Sequence, residues 1–176
     1  MESILPIGYV GLLIVLLSLA AWFILQQTLK TRKIESTLSK LQNKLKNEKG
    51  TFQEYYELGS IYLDKKLFVQ AISLFQKAIK AAEDTEENIA PIYNALGFAY
   101  FGQEQYDLAL RNYKEAVRLA PTYVIALNNL AHAYENKKLN SQALETYEEV
   151  LKLEPNNAIA KRRVEVLEKL LVIKKN

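Results

Sequence analysis

The chain has 176 residues, 49% of them aliphatic or aromatic, with six Gly, four Pro, no Cys and a formal net charge of +3. So apolar a composition excludes a disordered chain, the scarcity of Gly and Pro disfavours sandwiches and barrels, and the lack of Cys excludes a disulfide framework or a thiolate zinc site. The charge is uneven: residues 26–50 hold seven Lys or Arg against two acids, whereas residues 1–25 and 51–176 each sum to −1. A nucleic-acid surface spreads its cations over a folded face with aromatic or Arg contacts to bases, so no nucleic acid is expected. Cations lying directly behind an apolar segment point to membrane headgroups.

Ile4 to Leu25 is a run of 22 residues without a charge. At about 1.5 Å per residue it makes a helix of roughly 33 Å, enough for the hydrocarbon core of a bilayer. A cleaved signal peptide has a positive n-region and a shorter apolar core. Here only Met1, Glu2 and Ser3 precede the run, so residues 1–25 read as an uncleaved, single-pass anchor. Tyr9 and Trp22 fit the interfacial belts, and the basic flank Lys30, Arg32 and Lys33 leaves the rest of the chain on the cytoplasmic side, or the stromal side in a plastid. No Arg-rich, Ser-rich transit peptide precedes the anchor.

Residues 26–50 form the next element. Ile34, Leu38, Leu41 and Leu45 recur at helical spacing, which predicts a basic spacer helix that either leans on the following domain or pairs weakly with a second copy. Gly50 is its stop signal, and Thr51 with Glu54 has the form of a capping box that opens the next helix.

Residues 51–157 repeat. Leu58-Gly59-x-x-Tyr62, Leu96-Gly97-x-x-Tyr100 and Leu130-Ala131-x-x-Tyr134 are each followed by Ala71, Ala109 or Ala143, then by Phe75, Tyr113 or Tyr147, then by Ala78, Ala116 or Val150. The last two units close on Pro121 and Pro155. This pattern resembles the tetratricopeptide repeat family and implies an all-α solenoid of three helical hairpins, at residues 52–85, 90–123 and 124–157. The step from Gly59 to Gly97 is 38 residues instead of 34, from which a longer second helix is expected in the first unit. The acidic run Glu83, Asp84, Glu86 and Glu87 reads as a solvated connection before Pro91. Residues 158–176 read as a capping helix and tail. That helix carries more apolar surface than a cap requires, so Val166, Leu170 and Ile173 are taken as a second contact surface, for a partner or for weak self-association.

The resemblance implies that the first helix of each unit lines a concave groove for a protein partner. The register assigns to it Tyr56, Ser60, Leu63, Asn94, Phe98, Phe101, Asn128, His132, Glu135 and Arg162, with Phe98 and Phe101 as exposed anchors and Asn94, Asn128 and Arg162 as hydrogen-bonding groups. Repeats that clamp a chaperone's C-terminal carboxylate need Lys and Asn in one unit and Asn and Lys or Arg in later ones. Only Asn129 and Arg163 match here, so chaperone docking is disfavoured.

No enzyme is expected. His132 is the sole histidine, with no second nitrogen or thiolate to share a metal, and no cofactor site is read from the chain. The spacing Gly97 to Gly102 continues as Gln103-Glu104 inside a helical pattern and is a false P-loop. Glu148 and Glu149 lie on an outer helix, where solvation accounts for them.

Anchor, Lys-rich spacer, repeats spaced 38 then 34 and a closing helix together resemble the small membrane-anchored tetratricopeptide proteins of photosystem I assembly in cyanobacteria and plastids. Eighteen Lys against five Arg, with twelve Asn, fits the low-GC bias of a plastid genome. The resemblance implies a thylakoid protein whose repeats hold photosystem I subunits or assembly intermediates in the stroma. The alternative is a membrane-anchored receptor or scaffold for protein targeting or envelope assembly.

Overall fold

The computed structural model describes residues 4–83 and 88–173, which form helices and short connections with no strand among them. The chain divides into two compact units, one ending at Asn47 and the other beginning at Glu48.

The first unit is a single helix, α1 (Ile4–Asn47), of 44 residues. It runs unbroken through both the apolar segment and the basic one, and at 1.5 Å per residue it is about 66 Å long. From Tyr9 to Leu25 its side chains are exposed, and it is long and apolar enough to cross a membrane. The hydroxyl of Ser18 donates to the Ile14 carbonyl at 2.8 Å, so this polar atom of the apolar stretch is satisfied within the helix, as a lipid environment demands. Lys30, Arg32 and Lys33 follow, all exposed.

The second unit stacks three helical hairpins and one closing helix. The hairpins are α2 (Phe52–Asp64) with α3 (Phe68–Ala81), α4 (Ala90–Gly102) with α5 (Tyr106–Leu119), and α6 (Val124–Asn136) with α7 (Asn140–Leu153); α8 (Ala158–Ile173) packs on α7. The Thr51 hydroxyl accepts from the Glu54 N–H while the Glu54 carboxylate accepts from the Thr51 N–H, so the capping box opens α2. Inside each hairpin the two helices meet at the repeated small residue. A Cβ added at Gly59 would stand 2.7 Å from the Phe75 ring, and one at Gly97 the same distance from Tyr113. The two rings and Tyr147 are at most 1% exposed. All three hairpin turns have one backbone form. Lys66, Glu104 and Lys138 adopt φ of 58–59°, and the N–H of the next residue donates to the carbonyl of the repeated Tyr62, Tyr100 or Tyr134.

One expectation changes. The second helix of the first unit is not longer: α3, α5 and α7 each have 14 residues, so the extra residues of the 38-residue step fall between Ala81 and Ala90. Of the acidic run, Glu83 is exposed, while Asp84, Glu86 and Glu87 lie outside the described residues. Ala90, Val124 and Ala158 start their helices 34 residues apart, and at the position of Gly97 and Ala131 α8 carries an exposed Glu165 in place of the small residue.

Candidate functional site

Because α2, α4, α6 and α8 begin in one register, the repeat sets side chains in rows across them. Tyr56, Asn94, Asn128 and Arg162 occupy one row, and Ser60, Phe98, His132 and Val166 the next. Val166 was expected on a separate surface, but it stands on α8 where Phe98 stands on α4 and His132 on α6, so it continues the groove row. Leu170 is exposed on the same helix, one turn further on. Ile173 ends α8, and its side chain lies outside the described residues.

The expected groove residues differ in how far they are free to bind. Phe98 is 48% exposed. Phe101, expected as a second exposed anchor, is instead half-buried. Its ring packs 5.0 Å from His132 and 5.2 Å from Tyr106, because its position on α4 faces both α6 and the start of α5. Tyr56 is half-buried against Phe75 at 5.9 Å. Asn94 accepts a hydrogen bond from Asn129 at 2.9 Å and also bonds the Tyr123 phenol. Burial, with Tyr56 nearby, pushes that phenol above its ordinary pKa. Asn94 is therefore a strut between α4 and α6 as well as a groove residue. The Asn128 amide donates to its own helix at Val124, 3.1 Å away, while its Oδ1 is buried without a partner among the described residues.

At the α6–α8 end, Asn128, His132 and Arg162 come together around a cleft of about 560 Å³, joined by Asn129, Tyr147, Ile159 and Arg163. Glu135 is neutralised inside this wall. The Arg163 guanidinium donates to its carboxylate at 2.6 and 2.9 Å, and the Tyr147 hydroxyl donates at 3.2 Å. The bond to Glu135 raises the Arg163 pKa, and burial, followed by the Glu135 charge, raises that of Tyr147. Arg162, one residue away, is exposed and makes no ion pair among the described residues. Ile159 was not assigned to the groove from sequence, although the 34-residue step from the exposed Ile125 reaches it.

A second cleft, of about 450 Å³, lies on α3, α4 and α5 and is lined by Gln76, Tyr93, Tyr100, Arg111 and Glu115 among others. Within it Gln76 donates to the Tyr100 hydroxyl at 3.1 Å, Asn112 donates back to the Leu108 carbonyl of its own helix at 2.8 Å, and Glu115 is held by Arg118 beside the cleft at 2.6 Å. The groove end, with an exposed cation, an orphan carbonyl and apolar side chains, is the better candidate for a binding site.

Comparison with known proteins agrees with this architecture. Two family models described as tetratricopeptide repeat match residues 53–122 and 124–157. The protein ycf37 of Cyanophora paradoxa is 36% identical over 85% of this chain and 87% of its own length. That span exceeds the second unit and so includes part of α1. The ycf37 of Guillardia theta is 38% identical over 74% of each chain. The tetratricopeptide repeat domain-containing protein PYG7, chloroplastic, of Arabidopsis thaliana is 33% identical over 73% of this chain, which spans only 43% of that longer protein. Among solved structures, MamA superposes with a TM-score of 0.74 over 83% of each chain at 21% identity. The first tetratricopeptide domain of RPAP3, bound to an HSP90 peptide, superposes with a TM-score of 0.64 over 71% of this chain and 96% of that one at 24% identity. Identities this low show the fold alone. The repeats, the shared register and the relatives make the chain a member of the tetratricopeptide repeat family, of the ycf37 type found in plastids and cyanobacteria.

Proposed function

We propose that this chain is a non-catalytic scaffold, tethered to the thylakoid membrane by α1, that holds photosystem I subunits or intermediates with its stromal groove during assembly or stabilisation. The observation that carries the reading is the joining, in one short chain, of an exposed apolar helix with a basic flank to a repeat groove that keeps Phe98, His132 and Arg162 exposed. Lys30, Arg32 and Lys33 favour the stromal side for the groove and anionic headgroups as their neighbours. The Arabidopsis relative, whose name is chloroplastic, supports the location, and the likeness in layout to photosystem I assembly proteins supports the role. Chaperone docking gains no support, since Asn129 and Arg163, the two clamp matches, are engaged with Asn94 and Glu135.

The test is affinity purification of tagged chain from solubilised thylakoids, beside the pair Phe98→Ala and Asn128→Ala. Photosystem I subunits should co-purify with the native chain and fall several-fold with the variant, at unchanged helicity. Recovery of chaperones or translocation components instead, or of the chain in the soluble fraction, would overturn the reading.

A further inference from the structure

α8 leaves an apolar stripe uncovered. Ile159, Val166 and Leu170 are 63%, 40% and 48% exposed. At about 100° per residue they fall within roughly 40° of arc, in a stripe about 16 Å long. One edge of the stripe carries Arg162 and Lys169, both exposed and without an ion pair among the described residues. Its other edge carries Arg163, whose charge is already met by Glu135 at 2.6 Å. The acids of α8, Glu165 and Glu168, project at least about 100° away around the helix axis. The stripe is thus apolar, cationic on one flank, neutralised on the other, and continuous through Val166 with the groove row.

We propose that this face docks an acidic amphipathic helix of a partner protein, with apolar side chains lying along Ile159, Val166 and Leu170 and carboxylates meeting Arg162 and Lys169. The proposal rests on reading the chain as a partner-binding scaffold and supplies the chemistry of the partner. Residues 159, 166 and 170 lie along the axis of α8, and a second helix laid beside it meets them with anchors one and two turns apart. A second copy of α8 fits poorly, because it brings a cationic edge against another cationic or neutralised edge with no acid between them. A flat bilayer fits poorly too, because Ile159 and Arg162 also line the recessed cleft beside α6.

The full chain in detergent is titrated by fluorescence anisotropy with two synthetic helical peptides that share one Leu stripe, the first flanked by Glu and the second by Lys. The Glu peptide should bind at least about tenfold tighter at low salt, with the gap narrowing as salt rises. Val166→Asp with Leu170→Asp should lower its affinity by about tenfold or more at an unchanged thermal melt, and Arg162→Glu with Lys169→Glu should invert the preference. Equal affinities, or indifference to the Asp pair, overturn the proposal. So does a native dimer in sedimentation that the Asp pair dissociates, which makes a second copy the occupant. Loss of peptide binding in anionic but not neutral nanodiscs makes the bilayer the occupant. If the peptide preference holds while photosystem I subunits fail to co-purify, only the assembly reading falls; the converse result removes only this inference.

Discussion

The two sides of each first helix follow opposite rules. On the side facing its own second helix the residues recur: Gly59, Gly97 and Ala131 are small, and Phe75, Tyr113 and Tyr147 are buried aromatics. On the groove side only Asn94 and Asn128 match, with Tyr56, Asn94, Asn128 and Arg162 in one row and Ser60, Phe98, His132 and Val166 in another. The difference is steric. A side chain at Gly97 collides with a ring that is itself locked in the core, whereas a residue at Phe98 points into open space and is free to differ from unit to unit. Repetition therefore marks what folds the chain, and variation marks the face proposed to meet a partner.

The comparison is broken most severely from the packing side. Tyr113→Ala empties a site 1% exposed and should cost about 3–5 kcal/mol. Gly97→Val forces atoms into the same contact from the other side and should cost about 2–3 kcal/mol. Thermal melts in detergent, followed by circular dichroism, measure both. The neighbouring arginines sharpen the contrast. Arg163→Ala leaves the Glu135 carboxylate, whose side chain is 10% exposed, with only the Tyr147 hydroxyl, and should cost about 2 kcal/mol, discounted because the guanidinium itself is partly in water. Arg162→Ala should change stability by less than about 0.5 kcal/mol. A loss as large as that of Arg163→Ala would show Arg162 to be part of the frame.

The repeated side was legible in the sequence because its constraint is local and periodic: the Leu-Gly-x-x-Tyr spacing, the Ala and aromatic positions and the Thr51–Glu54 cap each specify a helix or a contact between consecutive helices. The groove was legible only as a list of positions. Its bonds join residues far apart, Asn94 to Asn129 and Glu135 to Arg163, and depend on rotamers that spacing does not encode. Phe101 illustrates the gap. Register placed it on the groove side, yet its ring turned into the wall between His132 and Tyr106. Two features had signals in the chain. The helix starts at Ala90, Val124 and Ala158 put Val166 in line with Phe98 and His132, and the unequal step of 38 fixed the number of extra residues but not their place.

Asn128 supplies a small effect with the sign reversed. Its amide N–H₂ only returns to the carbonyl of its own helix at Val124, while its Oδ1 is buried and unbonded among the described residues, at an expense of about 1–3 kcal/mol in desolvation. Leu is close to Asn in size and removes the orphan carbonyl without opening a cavity. Asn128→Leu should therefore stabilise the fold by about 0.5–1 kcal/mol and shift the melting temperature upward by a few degrees. A side chain that costs the fold stability is a candidate for binding. The same variant should capture less partner from solubilised membranes, the Oδ1 being the acceptor that a partner's backbone N–H would use. A variant that is both less stable and fully competent in capture would place Asn128 on the packing side of the comparison and leave the groove to Phe98, His132 and Arg162.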